Sequence, residues 1–368
     1  SKRIGYRKGE IMAYCRKGNA LVETGELNAA LSSYEKAEKL FNNSSVDSII
    51  LAKIFIYKAS IYRRKGTVDR ALSLNKYSFD IAVRQQNPVI MSSSAINMSL
   101  IHKEKGHYKK ALMLLHGAIR ILPEQNHEEF GVLYNGVGNI YQDEGRFKEA
   151  INAYSQALSH FREVKNLHGE LKVTSNIGNC FWDLDEPDSA ITYYKKALPL
   201  SIEHDFKETE GILYQNLGAT FAEKRNLDSS LFYYTSSLAI KENAGDLDGS
   251  LETLKSIGEI SFIRNDIDRA IDTYQRAFKL ALSFEYLEDL EHITRELSAC
   301  YQKKDDWDQA YHYLELSKDY RDSISDELND ALIYEVNFEQ AQKKLVQLEL
   351  EASEREAVLE RRNFMYIM

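Results

Sequence analysis

A small residue recurs along this chain at Gly18, Ala59, Ser99, Gly138, Gly178, Gly218, Gly258 and Ser298, at spacings of 39 to 41 residues. Three further columns keep the same register. Twelve residues after each comes a second small residue, in Ala30, Ala71, Ala111, Ala150, Ala190, Ser230, Ala270 and Ala310. Four further on stand Tyr34, Tyr154, Tyr194, Tyr234 and Tyr274, with Asn75, Leu115 and Leu314 in the other copies. Three beyond that the series reads Ala37, Ser78, Ala118, Ala157, Ala197, Ser237, Ala277 and Ser317. Four aligned columns in eight copies make the chain an array of one structural unit, so its 368 residues need not be divided among two or three globular domains.

The unit reads as two helices. Gly138-Asn139-Ile140-Tyr141 belongs to a first helix, and Glu144-Gly145-Arg146-Phe147 is the turn after it. Ala150, Tyr154 and Ala157 then share one face of a second helix at i, i+4 and i+7. Small side chains in the facing columns let two backbones approach closely. The aromatic fills the wedge between one repeat and the next, with its hydroxyl near solvent, which gives many of the 23 tyrosines a structural use. Only 18 Gly and 4 Pro are present, too few breakers for the turns of an all-β chain.

Chemistry is sparse. The nine histidines show no metal-ligand spacing, and Cys15, Cys180 and Cys300 lie more than a hundred residues apart, so neither a zinc site nor a disulfide framework is expected. No Gly-rich phosphate loop, GxSxG elbow or Cys/His pair marks a nucleophile, and Asp305/Asp306 read as solvated turn residues. No catalytic residue, metal or cofactor is therefore assigned. A net charge of −9 without a basic stripe argues against nucleic acid as a partner of this segment.

The small–aromatic–small columns resemble the tetratricopeptide (TPR) family, in its long-period form, over residues 11–322. The resemblance implies an all-α fold, a right-handed superhelix or α-α solenoid of about eight helix-turn-helix repeats with a long C-terminal helix. The first helices would line a concave groove that binds a protein or peptide. Asparagines on those helices hold the ligand backbone in some members, and Asn97, Asn135, Asn139, Asn176, Asn179 and Asn216 stand at matching places here, with Asn19 in the first copy. An amide offers both a donor and an acceptor, so a row of them can pair with any main chain; bridging between adjacent repeats is the other use of such a row. Trp182 falls near the end of a first helix, as do Arg63 and Arg64.

The repeat register stops at Phe338, where a small residue is due. Residues 1–10 precede the array. From 323 to 363 no Gly or Pro interrupts the chain, and Ile324, Ala331, Tyr334, Phe338, Ala341, Leu345, Leu348, Ala352 and Leu359 fall on a 3.5-residue seam. This stretch reads as a capping and coiled-coil helix able to form a homodimer. Arg361-Arg362-Asn363 then gives way to Phe364-Met365-Tyr366-Ile367-Met368, the pattern of the start of a transmembrane helix over 364–368. The combination resembles the sensor region of Bacteroidetes membrane-anchored TPR regulators, whose outputs are histidine kinases or LuxR-like domains. That resemblance implies a periplasmic repeat domain. The alternative is a cytoplasmic scaffold or a Rap-like peptide-responsive regulator.

Overall fold

The computed structural model describes residues 2–42, 48–326 and 344; apart from residues 323–326 and 344, the expected capping and coiled-coil helix, with its dimer seam, and the expected membrane start lie outside the described residues. Every element among them is helical, as expected. The chain divides into two units, Ser1–Asn226 and Leu227–Met368. The first holds α1 (Lys2–Glu23), α2 (Leu27–Asn42), α3 (Ser48–Arg64), α4 (Val68–Arg84), α5 (Pro88–Glu104), α6 (Tyr108–Ile121), α7 (His127–Asp143), α8 (Phe147–Glu163), α9 (Leu167–Asp183), α10 (Pro187–Glu203) and α11 (Lys207–Glu223). The second holds α12 (Leu227–Ala244), α13 (Leu247–Ile263), α14 (Ile267–Ser283) and α15 (Leu287–Lys303), followed by helical residues 307–326.

The helices explain the long period. α7, α8, α9 and α10 have 17 residues each, and three-residue turns join them, which makes 40 per repeat. Where α6 shortens to 14 residues, Leu122–Asn126 lengthens the turn to five, and the column spacing falls to 39. Each three-residue turn among the described residues reverses the chain through one residue of positive φ. Gly145 does this inside a repeat and Lys165 between repeats, at φ +72° and +55°. At the second, Asn166 N–H bonds Phe161 C=O and Lys165 N–H bonds Arg162 C=O, which closes the helix end with both orphan carbonyls satisfied.

The column residues meet across each helix pair. A Cβ at Gly138 would stand 2.5 Å from the Tyr154 ring, and one at Gly178 would stand 2.5 Å from Tyr194. Gly18 with Tyr34 and Gly258 with Tyr274 repeat the contact, at 2.5 and 2.7 Å. Where the first column is Ala59 or Ser99, the partner is Asn75 or Leu115 instead, and Ser298 goes with Leu314. Gly218 is matched in sequence by Tyr234, so glycine accompanies tyrosine in every copy that has one. The ring needs the space that a methyl group would take. Tyr154 also packs with Val173, Ile177 and Cys180 of the next repeat, so it occupies the wedge between repeats. Its hydroxyl, however, is not left to solvent: it donates to Asn139 Oδ1 at 2.7 Å. Phe161 is held in the same manner between Gly131 and Gly169, with Cβ distances of 2.7 and 2.6 Å.

Ion pairs recur with the repeat as well. Lys105–Asp69 and Lys224–Asp188 in the first unit, and Arg264–Asp228 and Lys304–Asp268 in the second, tie the end of a first helix to the start of the preceding second helix. Their carboxylates are 84 to 98% exposed, so each pair contributes at most about 1 kcal/mol.

Replacing Gly178 by Ala forces a methyl into the Tyr194 ring, and urea denaturation should show a loss of about 1–3 kcal/mol. Ala59→Gly, opposite Asn75, should cost about 1–2 kcal/mol, from the helix propensity of glycine and the loss of a buried methyl, without any clash.

A second expectation concerns acid. His127 Nδ1 lies 3.0 Å from His160 Nδ1, so one ring nitrogen must stay unprotonated to accept. Burial, and then His127, push His160 below its ordinary value, and His102 and His116 are lowered too, chiefly by burial. A lowered folded value means that the unfolded chain takes up protons first. Their contribution is whole above pH ~6.5 and is lost as pH falls below it. Thermal melts from pH 7.5 to 5 should fall in Tm, and His160→Gln should flatten that slope.

Candidate functional site

In the first unit the first helices α1, α3, α5, α7, α9 and α11 each touch the next of their kind, and the second helices make no comparable contact with one another. The first-helix face is therefore the crowded, inner side of this unit. All six asparagines and Trp182 of the sequence reading stand on it.

The amides are largely engaged. Tyr34, Tyr154 and Tyr194 hydroxyls donate to Asn19, Asn139 and Asn179 Oδ1, at 2.6, 2.7 and 2.7 Å. Asn176 Nδ2 donates to Asn135 Oδ1 at 3.2 Å, and Asn216 Nδ2 to Asn179 Oδ1 at 3.0 Å, each bond joining neighbouring repeats. Asn97 Nδ2 turns to Asn75 Oδ1, 3.4 Å away, where that buried amide replaces the column tyrosine. The row thus serves first to fasten tyrosines and to link repeats. What remains free is complementary: among the described residues Asn179 Nδ2 and Asn216 Oδ1 have no partner, one donor and one acceptor side by side.

A second row runs four and five residues after the small column. Arg63 pairs with Glu104, Lys103 with Asp143 at 2.7 Å, and Gln142 Nε2 donates to Asp183 Oδ2 at 3.2 Å. Each links the end of one first helix to the end of the next. The row ends at the following position, where Trp182 stands in place of the cation or amide of the earlier copies. There a cleft of about 280 Å³ opens, lined by Gln142, Asn179, Trp182, Asp183, Asn216 and Thr220 among others. Of the sequence candidates, this cleft brings together Asn179, Asn216 and Trp182; Asn97, Asn135, Asn139 and Asn176 lie outside its lining. Gln142 and Asp183 were missed by sequence reasoning. The signal was the 41-residue step between a polar residue and an acid in the next copy.

The cleft offers amide, indole and carboxylate groups. Trp182 is 44% exposed. Asp183 meets no cation among the described residues, so its carboxylate remains available to a basic group. Burial, and then Asp183, push the Cys180 thiol up to about 12, so it stays protonated and inert. Burial likewise raises Tyr154 and Tyr194, keeping both as neutral donors to their asparagines. Among the described residues no cluster of three His, Cys, Asp or Glu could hold a metal, and no helix is long and apolar enough to cross a membrane.

Tyr194→Phe removes one neutral hydrogen bond and should cost about 1 kcal/mol in urea unfolding. Asn179→Ala leaves both the Tyr194 hydroxyl and the Asn216 amide without their acceptor, and should cost more, about 2 kcal/mol.

Comparison with known proteins agrees with this architecture. Family models of the tetratricopeptide repeat match residues 129–203, which span most of α7 through α10, and residues 13–44, which take in the C-terminal half of α1 and all of α2. Protein kinesin light chain-related 1 of Arabidopsis thaliana is 25% identical over 152 residues, 40% of this chain and 25% of that protein. The chain thus spans about a quarter of that relative's length. Among solved structures, a signal transduction ATPase with numerous domains and a tetratricopeptide repeat sensor, from Pyrococcus horikoshii, has a TM-score of 0.66 at 14% identity. The match covers 87% of this chain and 54% of that one. A Rap protein complexed with competence and sporulation factor has a TM-score of 0.50 at 12% identity, covering 86% of this chain and 99% of that one. At these identities the likeness is one of fold. The chain carries tetratricopeptide repeats in an all-helical α-α solenoid fold.

Proposed function

We propose that this chain is a non-enzymatic binding domain whose first-helix cleft takes a polypeptide segment. The observation that carries the reading is the unsatisfied pair Asn179 Nδ2 and Asn216 Oδ1 beside exposed Trp182 and Asp183, whose carboxylate accepts from Gln142 but meets no cation among the described residues. A peptide unit offers the complementary acceptor and donor, whatever its sequence. A lysine or arginine side chain of the ligand would lie over the Trp182 ring with its charge at Asp183. Such recognition is built from main-chain hydrogen bonds for affinity and one side-chain pocket for specificity.

At the level of the whole protein, the reading is the sensory part of a membrane-anchored signalling or transcriptional regulator, with the repeat domain outside the cytoplasm. It rests on the sequence of residues 323–368: the apolar seam, the Arg361-Arg362 pair and the abrupt apolar run after it. Ligand docking would alter the first-helix face, and the seam, by pairing two chains, would carry that change onward. A cytoplasmic scaffold or Rap-like peptide-responsive regulator is the alternative. The Rap protein that resembles this fold is complexed with competence and sporulation factor, which supports a ligand-binding use of the repeats in either compartment.

Selection of random dodecapeptides on the immobilised protein tests the binding reading. Peptides recovered on the wild type should lose at least about tenfold in affinity for Trp182→Ala and for Asn216→Ala. Tm should stay within about 2 °C for the exposed Trp182 change. Recovery of peptides whose binding ignores both substitutions would refute the cleft as the site.

A further inference from the structure

The two ends of the first unit differ in charge. α1 carries six Lys and Arg against two Glu, and α3 carries four against none, in a chain whose net charge is −9. Part of that charge is neutralised: Lys58 pairs with Glu38 and Arg63 with Glu104. Lys8, Arg16 and Lys53 have neither an ion-pair nor a hydrogen-bond partner among the described residues, and all three are exposed. They stand around one groove of about 480 Å³ between α1 and α3, whose apolar lining is supplied by Met12, Ile49, Ile50 and Tyr57. Met12 is 42% exposed. Like-charged groups gathered about a half-buried apolar floor repel one another and bring no folding gain, so their arrangement calls for an anion with an apolar part.

We propose that this groove is a second binding site, separate from the cleft at Trp182, and that it takes an acidic peptide segment in which apolar side chains alternate with carboxylates. The geometry selects this occupant. A volume near 480 Å³ holds two or three large apolar side chains. The three cations at its edge can then meet carboxylates on the same segment. Asn19 adds a main-chain contact: its Oδ1 is taken by Tyr34, and its Nδ2 remains as a donor at the groove. Nucleic acid fits less well, because the Tyr57 ring already stacks on Tyr34 at a centroid distance of 5.4 Å and lacks a free pair of faces for bases. An anionic bilayer would meet protruding apolar residues, whereas these line a concavity.

Cys15 gives the site its own reporter. It lines the groove and is half-buried, while Cys180 and Cys300 are fully buried, so a maleimide should modify Cys15 first in the folded protein. Burial pushes the Cys15 thiol up to about 11, so labelling is slow and its inhibition easy to follow.

The test uses the full chain and a fluorescein-labelled peptide of about twelve residues alternating Glu with Leu. Anisotropy should show binding that weakens as salt rises from 50 to 300 mM, and at least about tenfold for Arg16→Glu/Lys53→Glu. The peptide should also slow N-ethylmaleimide modification of Cys15, read by intact mass. The same peptide with Lys in place of Glu should leave Cys15 modification unslowed. Asn216→Ala should leave this binding unchanged, which separates it from the cleft at Trp182. Should the double reversal lower Tm, Arg16→Gln/Lys53→Gln removes the charge without reversing it and should still weaken binding several-fold. Equal affinity in the charge variants, or no protection of Cys15, overturns the proposal. So does charge-dependent binding of oligo(dT) or phosphatidylserine vesicles where the acidic peptide fails to bind.

Discussion

The contact of a tyrosine ring with a glycine backbone is what the rest of the architecture depends on. A first and a second helix come close enough to form one unit because the first column has no side chain and the ring lies where it would be. The same ring reaches the core of the next repeat, as Tyr154 does with Val173 and Ile177, so one residue both closes its own helix pair and joins it to the next. Its hydroxyl then needs an acceptor, which the residue after the glycine supplies in Asn19, Asn139 and Asn179. A packing requirement therefore places an amide on the inner face of three repeats.

That coupling changes how the asparagine row should be understood. An amide fixed by a tyrosine is oriented before any ligand arrives, which lowers the entropy lost on binding. It also has less left to give. Asn216 bridges to Asn179 as Asn176 does to Asn135, each pair keeping one donor and one acceptor, and of these four amides Asn179 and Asn216 line the cleft. The row of polar residues one turn later runs from Arg63 through Gln142 and stops at Trp182. The cleft forms where both rows end.

Much of this was legible in the sequence. The four columns give the helix pairs, their register and the residues of the core: Ala30, Ala71, Ala111, Ala150, Ala190 and Ala270 are all fully buried. The glycine–tyrosine pairing could have been read as well, since Ala59, Ser99 and Ser298 each stand opposite a residue other than tyrosine. The tyrosine hydroxyl was not legible, because periodicity locates a ring but not the partner of its polar tip. The site was half legible. Asn179, Asn216 and Trp182 were named from their places in the repeat, while Gln142 and Asp183 were not. Their pairing depends on how two first helices align in space, which a column of identities does not encode. The basic groove escaped for the same reason: composition averages Lys8, Arg16 and Lys53 into an acidic whole.

The central claim is that a polypeptide lies on the first-helix face of the first unit, at the end of both polar rows. Photo-crosslinking tests it most directly, with a photoreactive side chain placed at Trp182 on α9 or, as its counterpart, at exposed Gln156 on α8. A peptide selected on the wild-type protein should crosslink efficiently from position 182 and not from position 156. Crosslinking from 156 and none from 182 would place the ligand on the second-helix face and contradict the account.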